Sequence, residues 1–161
     1  MSSTSEIKDS GERTLFSTGA VRDCQKGKGR FDWVPLDVLG QVLDDRVIGE
    51  LYYFQTTGHT EHLFHALDIF FSMYPGGKYA AALGVAKHYE AGCEKYGLDN
   101  WKKGLPISRY IDSACRHYCK YRAGWTDEPH DNAFIWNIMG AIWTKQNIKE
   151  QDASTEEVHI C

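Results

Sequence analysis

Between Leu36 and Ile142 the apolar residues of this chain recur at helical spacing, and strand-like alternation is nowhere sustained. A chain patterned in this way has one economical solution, a bundle of α-helices whose apolar stripes face inward. Leu36, Leu39, Val42 and Leu43 follow Pro35 and predict a short first helix. Leu63, Leu67, Phe70 and Phe71 mark a second near 60–73, which stops before Pro75-Gly76-Gly77. A third runs over 79–96 with Leu83, Ala86, Tyr89, Cys93 and Tyr96 on its stripe, and Gly97 ends it. Ile107, Ile111, Ala114, Tyr118 and Tyr121 predict a fourth over 107–122; Phe134, Ile138, Ala141 and Ile142 predict a fifth over 129–147. Leu51-Tyr52-Tyr53-Phe54 is the only short strand candidate. The expectation is an all-α, single-domain bundle of about five helices over 14–150, with flexible tails at 1–13 and 151–161. The glycine- and charge-rich stretch 18–32 is expected to be an irregular arm.

Composition narrows the partners. A net charge of -4 argues against general nucleic-acid binding, which calls for a basic field. No apolar run approaches membrane-spanning length, and the polar opening does not read as a signal peptide. Five cysteines, odd in number and without a CxxC pair, point to free thiols in a reducing cytoplasm. Cys115 and Cys119, one turn apart, read as packing residues.

The chemistry concentrates at Thr126-Asp127-Glu128-Pro129-His130-Asp131. Pro129 suits the first helical position, which puts Asp127 and Glu128 in the preceding turn and Asp131 at the third position. Acids there can simply cap the helix dipole. Gathered hard oxygen ligands also suit Mg²⁺ or Mn²⁺ bound to substrate phosphates. The short connection at 123–128 makes the last two helices antiparallel, so His117 falls near the level of Asp131. Glu90 and Glu94 add a carboxylate pair one turn apart on the third helix. A convergent patch of Glu90, Glu94, His117, Asp127, Glu128, His130 and Asp131 is therefore allowed.

Arg22, Lys28, Arg30, Lys103 and Arg116 are candidate phosphate contacts, arginine's planar fork being suited to bidentate binding. Gly27-Lys28-Gly29-Arg30 could present amides to a phosphate, but it lacks the Walker A spacing. Trp101, Trp136 and Tyr110 are candidates to stack on a base, although helical aromatics also build cores. Asn137, polar within an apolar helix, is a candidate to order the site by hydrogen bonding.

From about Phe16 to Thr144 the chain resembles the bacteriophage dATP/dGTP diphosphohydrolase (MazZ-like) N-terminal family. The resemblance rests on Gly19-Ala20-Val21-Arg22-Asp23, Gly27-Lys28-Gly29-Arg30-Phe31-Asp32, His88-Tyr89-Glu90-x-Gly92 and Lys95-Tyr96-Gly97. It continues through Asn100-Trp101-x-Lys103-Gly104-x-Pro106, Arg116-His117, Asp127-Glu128-Pro129-His130-Asp131 and Trp136-Asn137. It implies an α-helical, MazG-related enzyme that splits a purine deoxynucleoside triphosphate into monophosphate and diphosphate with Mg²⁺ or Mn²⁺. The setting implied is nucleotide-pool remodelling in the cytoplasm of an infected bacterium, and the assembly implied is a homo-oligomer. Enzymes of the MazG type pair Glu-x-x-Glu with Glu-x-x-Asp. Glu128-x-x-Asp131 matches the second element, whereas Glu90 and Glu94 are one residue wider than the first.

On this reading Glu90, Glu94, Asp127, Glu128 and Asp131 hold metal. Arg116 offsets phosphate charge, and His117 or His130 moves a proton or completes the metal shell. Two alternatives stand beside it. One is an HD-type phosphohydrolase centred on His130-Asp131, which wants a later aspartate and finds only Asp152. The other is a protein that sequesters a nucleotide without cleaving it.

Overall fold

The computed structural model describes residues 7–9 and 11–149, together with the backbone of 157–159. Its helices begin and end where the proline and glycine punctuation predicts. α1 (Leu36–Leu43) opens after Pro35 and closes at Asp44, which takes the left-handed conformation at φ 48°. α2 (Arg46–Thr57) is capped by Asp45, whose carboxylate accepts from the Ile48 N–H at 3.1 Å, and Gly58 closes it. α3 (Glu61–Ser72) packs back on α2, and α4 (Gly77–Tyr96) follows the Pro75-Gly76 break. After a 3-10 turn at Asn100–Lys103 come α5 (Ile107–Arg122) and α6 (His130–Asn147).

α5 and α6 form an antiparallel hairpin in which His117 meets His130 near the loop and Tyr110 meets Gly140 further along. The core runs from that hairpin to α3 through the rings of Phe70, Tyr118 and Phe134, with Phe70 4.8 Å and Tyr118 5.3 Å from Phe134. Ring pairs of this kind contribute about 0.5–1.5 kcal/mol each beyond the area they bury. Among the described residues no helix is long and apolar enough to cross a membrane.

The mostly helical architecture agrees with the periodicity, and four local expectations are corrected. Leu51–Phe54 lies inside α2, not in a strand. Val47, Leu51 and Phe54 are buried at helical spacing, and the Asp45 cap supplies the start signal. The arm is not irregular throughout. β1 (Arg13–Phe16) pairs antiparallel with β2 (Val21–Asp23) through a turn at Gly19, where φ is 84°. The second tail is not uniformly loose, because β3 (Glu157–His159) pairs with the other edge of β1. A three-stranded sheet on a helical bundle has too few residues per strand for its alternation to register in sequence. Finally, Cys24 is disulfide-bonded, while Cys93, Cys115 and Cys119 are free thiols as expected.

Candidate active site

One face of α5 organises the site. Arg109, Asp112 and Arg116 recur at i, i+3 and i+7, so all three point the same way, and all three are buried. Arg109 donates to the Asp23 carbonyl at 3.0 Å. The Asp112 carboxylate accepts from the Phe31 N–H at 2.7 Å, from Gln25 at 2.8 Å and from Arg116 at 2.5 Å. Arg116 also donates to the carbonyls of Lys28 and Gly29 at 3.1 and 2.8 Å. Charged groups taken out of water persist only where they are paired and hydrogen-bonded, and this triad meets that condition by gripping the arm backbone. From the 3-10 turn, Asn100 holds Val21 by both its N–H (2.8 Å) and its carbonyl (2.9 Å).

Held in this way, the hairpin and arm close over α4, α5 and α6 and leave a cavity of about 360 Å³. Arg22 reaches into it from β2. Its guanidinium lies 5.4 Å from the Tyr110 ring and 5.5 Å from the Trp136 ring, and one terminal nitrogen donates to the Asn137 side chain. The other terminal nitrogen, Nη1, is buried with no hydrogen-bond partner. His88, which also lines the cavity, has a buried Nδ1 in the same condition, and its ring stands 6.1 Å from Trp136. Burial, reinforced by the Arg22 charge, pushes the His88 imidazole down to about 4, so at neutral pH it is uncharged. Unpaired buried donors and acceptors cost about 1–3 kcal/mol each. Two of them beside one aromatic floor mark a place shaped for a ligand that would pair them.

The second part of the site is a chain of imidazoles and carboxylates at the open end of the α5–α6 hairpin. His117 Nδ1 lies 2.9 Å from His130 Nδ1, and His130 Nε2 lies 2.7 Å from the Asp127 carboxylate. Lys8 crosses over them: its ammonium donates to Asp127 at 2.7 Å and its backbone N–H to Glu128 at 3.0 Å. The Asp127 carboxyl is held well below its usual range, first by the Lys8 bond and then by His130. His117 is held well below the ordinary imidazole value by burial and by the charges of Arg22, Arg116 and Lys120. One ligand atom each from His117, Glu128 and His130 fall within 4.8 Å of one another.

These donors decide which ion fits. The patch of Glu90, Glu94, His117, Asp127, Glu128, His130 and Asp131 allowed by the sequence assembles only in part. Glu90 and Glu94 are exposed on the face of α4 opposite Ala81, Val85 and His88, and neither lines the cavity. Asp131 accepts from the Tyr74 hydroxyl at 2.7 Å, in the turn after α3, and is likewise off the cavity wall. What assembles is a mixed set of two imidazoles and a carboxylate. Asp127 sits where it accepts a proton from His130 Nε2, and a neutral His130 then presents Nδ1 as a lone pair, the arrangement in which an outer carboxylate orients a metal-ligating histidine. A mixed nitrogen–oxygen set favours a borderline transition ion, and of the two ions expected it suits Mn²⁺ better than Mg²⁺.

Of the other expected contacts, Arg22, Lys28, Arg116, His117, Asp127, Glu128 and Asn137 line the cavity. Arg116 is spent on the arm backbone. Arg30 pairs with Asp32 at 2.6 Å and stacks on Trp33, Trp101 packs on Tyr89 and Trp143, and Lys103 is exposed. None of these three lines the cavity. Asp152, which the HD-type alternative needs, lies outside the described residues. Sequence reasoning passed over Lys8, Arg109 and Asp112. The last two carried a usable signal, since charges at i and i+3 within the fourth helix shared a face with Arg116.

Residues 78–154 match the family described as dATP/dGTP diphosphohydrolase, N-terminal, the family that the motifs resemble. That span holds α4, α5 and α6, and with them His88, His117, Glu128, His130 and Asn137. No curated protein and no solved structure matches the chain.

Proposed function

We propose that this protein hydrolyses purine deoxynucleoside triphosphates, dGTP or dATP, to the monophosphate and diphosphate in a divalent-metal-dependent reaction. One observation carries the reading. An arginine nitrogen without a partner, the Trp136 ring, His117 and Glu128 line one cavity, with Tyr110 and His130 packed directly behind them, and all of these residues but Arg22 lie in the span matched by a diphosphohydrolase family.

Each part of the wall has a role on this reading. Arg22 and Lys28 bind phosphate oxygens, and an incoming anion offsets the burial that disfavours the Lys28 ammonium. Trp136 and Tyr110 hold the Arg22 guanidinium in plane and Asn137 fixes its direction, so the phosphate contact costs little reorganisation. His88, uncharged, offers its unpaired Nδ1 to a sugar or base donor. His117, Glu128 and His130 hold the metal, Mn²⁺ ahead of Mg²⁺. When bound, the ion neutralises phosphate charge and lowers the pKa of the water that attacks phosphorus. Asp127 orients His130, and Lys8 screens the two acids. Water adds to the α-phosphorus, the P–O bond to the α–β bridging oxygen breaks, and diphosphate leaves, with the proton of the attacking water passing to the departing diphosphate or to solvent.

Self-association and a cytoplasmic setting in an infected cell belong to the same proposal. Incubation with a panel of nucleoside triphosphates and Mn²⁺ or Mg²⁺, with products identified, tests it. The expected result is deoxynucleoside monophosphate plus diphosphate, abolished by EDTA. Tight nucleotide binding without turnover would replace this reading with sequestration, and release of intact triphosphate would replace it with HD-type chemistry.

A further inference from the structure

Well away from the cavity, the α2–α3 hairpin carries a second group of donor atoms that the hydrolytic reading does not use. His62 and His65 lie at i and i+3 on α3, so both imidazoles leave the same face one turn apart. Glu50 faces them from α2. Its carboxylate oxygen is 2.8 Å from His62 Nδ1 and 3.7 Å from His65 Nδ1. One ligand atom from each residue falls within 4.8 Å of the others. In a tetrahedral zinc site, with bonds of about 2.0–2.1 Å, neighbouring donors stand about 3.3 Å apart. The two measured separations bracket that value, so small side-chain rotations bring the three into coordination.

The surroundings fit a metal better than a simple ion pair. The side chains of Glu50 and His62 are 18% and 21% exposed, so the acid and the first imidazole are held by packing. His65 is 57% exposed, which leaves an open side for water as a further ligand. The rings of His62 and His65 meet edge to face at 87°, and the Tyr53 ring backs His62 at 5.6 Å. Among the described residues no lysine or arginine pairs with Glu50, whose partners are these two imidazoles.

We propose that Glu50, His62 and His65 form a surface site for a borderline divalent transition ion of the Zn²⁺ or Co²⁺ class. The donor set of two imidazoles and one carboxylate is one that such ions prefer, and Mg²⁺ and Ca²⁺ do not compete for it. Binding takes Nδ1 of each histidine as a lone pair, with the ring proton carried on Nε2. The ion then ties α2 to α3. Because Phe70 of α3 packs on Phe134 of α6, the tie stabilises the whole bundle rather than one surface turn.

Titration of the full-length protein with Co²⁺, read by visible absorption together with thermal unfolding, tests the site. The expected result is a d–d absorption band assigned to Glu50, His62 and His65. A Tm rise of about 5–10 °C should accompany it at a hundredfold excess over Kd. His65→Ala, at an exposed position, should lose one Co²⁺ equivalent with its absorption and its share of the Tm rise, and Glu50→Gln should weaken that equivalent at least tenfold. His130→Ala should lose only the cavity cluster's equivalent and keep the one at Glu50, His62 and His65, which separates the two sites. Unchanged Co²⁺ stoichiometry and Tm response in His65→Ala and Glu50→Gln overturn the proposal, whatever the outcome of the nucleotide assay.

Discussion

His117 and His130 face each other Nδ1 to Nδ1 at 2.9 Å across the α5–α6 hairpin. Two donors cannot meet at that distance, so at least one nitrogen presents a lone pair. With Asp127 accepting from His130 Nε2, the tautomer that places the lone pair on His130 and the proton on His117 satisfies all three groups. An ion between the rings would replace that proton.

Removing either end of this chain should therefore act on metal use before it acts on folding. Asp127→Asn is expected to weaken Mn²⁺ affinity by about 10–100-fold. His130→Ala is expected to abolish Mn²⁺-dependent turnover. Asp131→Ala, which loses only the Tyr74 bond, is expected to retain turnover with a lowered Tm. Activity measured across a Mn²⁺ titration checks all three, and full activity in His130→Ala would refute the site.

Lys8 competes for the same acids. Its ammonium holds Asp127 at 2.7 Å from a side chain that is itself 63% exposed. Lys8→Ala should tighten Mn²⁺ binding several-fold while barely moving Tm, because an exposed ion pair contributes little to stability. Weaker Mn²⁺ binding in this variant would mean that the contact builds the site instead of masking it.

Arg22 should separate function from stability in the opposite sense. Its guanidinium is desolvated and one nitrogen is unpaired, so the folded protein carries the cost of a charge that only a ligand repays. Arg22→Met is expected to raise KM for the nucleotide by at least tenfold, with Tm unchanged or higher. A falling Tm with unaltered KM would assign Arg22 to the scaffold.

Burial of neutral imidazoles makes stability depend on pH. In the unfolded chain His88 and His117 titrate near about 6.5, whereas in the folded protein His88 is pushed to about 4 and His117 is also lowered. Below pH 6.5 the unfolded chain takes up protons that the folded chain refuses. Stability is thus fully present above about pH 6.5 and falls as pH drops toward 4, by on the order of 3 kcal/mol for His88 alone. Urea midpoints across that range should fall, and His88→Gln should flatten the fall.

Close packing makes Gly140 sensitive as well. A Cβ on Gly140 would stand 2.4 Å from the Tyr110 ring, which also supports Arg22. Gly140→Ala should cost about 1–3 kcal/mol and raise KM as Tyr110 shifts. An unchanged Tm would show that the ring can move aside without loss.

The helices were legible because each has its own periodic stripe and its own proline, glycine or aspartate boundary, signals contained within about a dozen residues. The exception, α2, shows the limit of that reading. Its four-residue run Leu51–Phe54 looks strand-like until Asp45 is recognised as a cap. The β-hairpin was not legible, because its short strands are held less by their own pattern than by Asn100, bonded to Val21, and Arg109, bonded to Asp23, from elsewhere in the chain.

The candidate site divides in the same way. The linear motif determined that Asp127, Glu128 and His130 gather at one helix start, and hairpin geometry carried His117 to them. Local sequence could not decide that Glu90 and Glu94 turn to solvent, that Asp131 turns to Tyr74, or that Arg22 lies between two rings. Those outcomes depend on how α4 is rotated against α6 and on where the arm is pinned. Both are set by packing between residues far apart in sequence, and only the tertiary structure decides them.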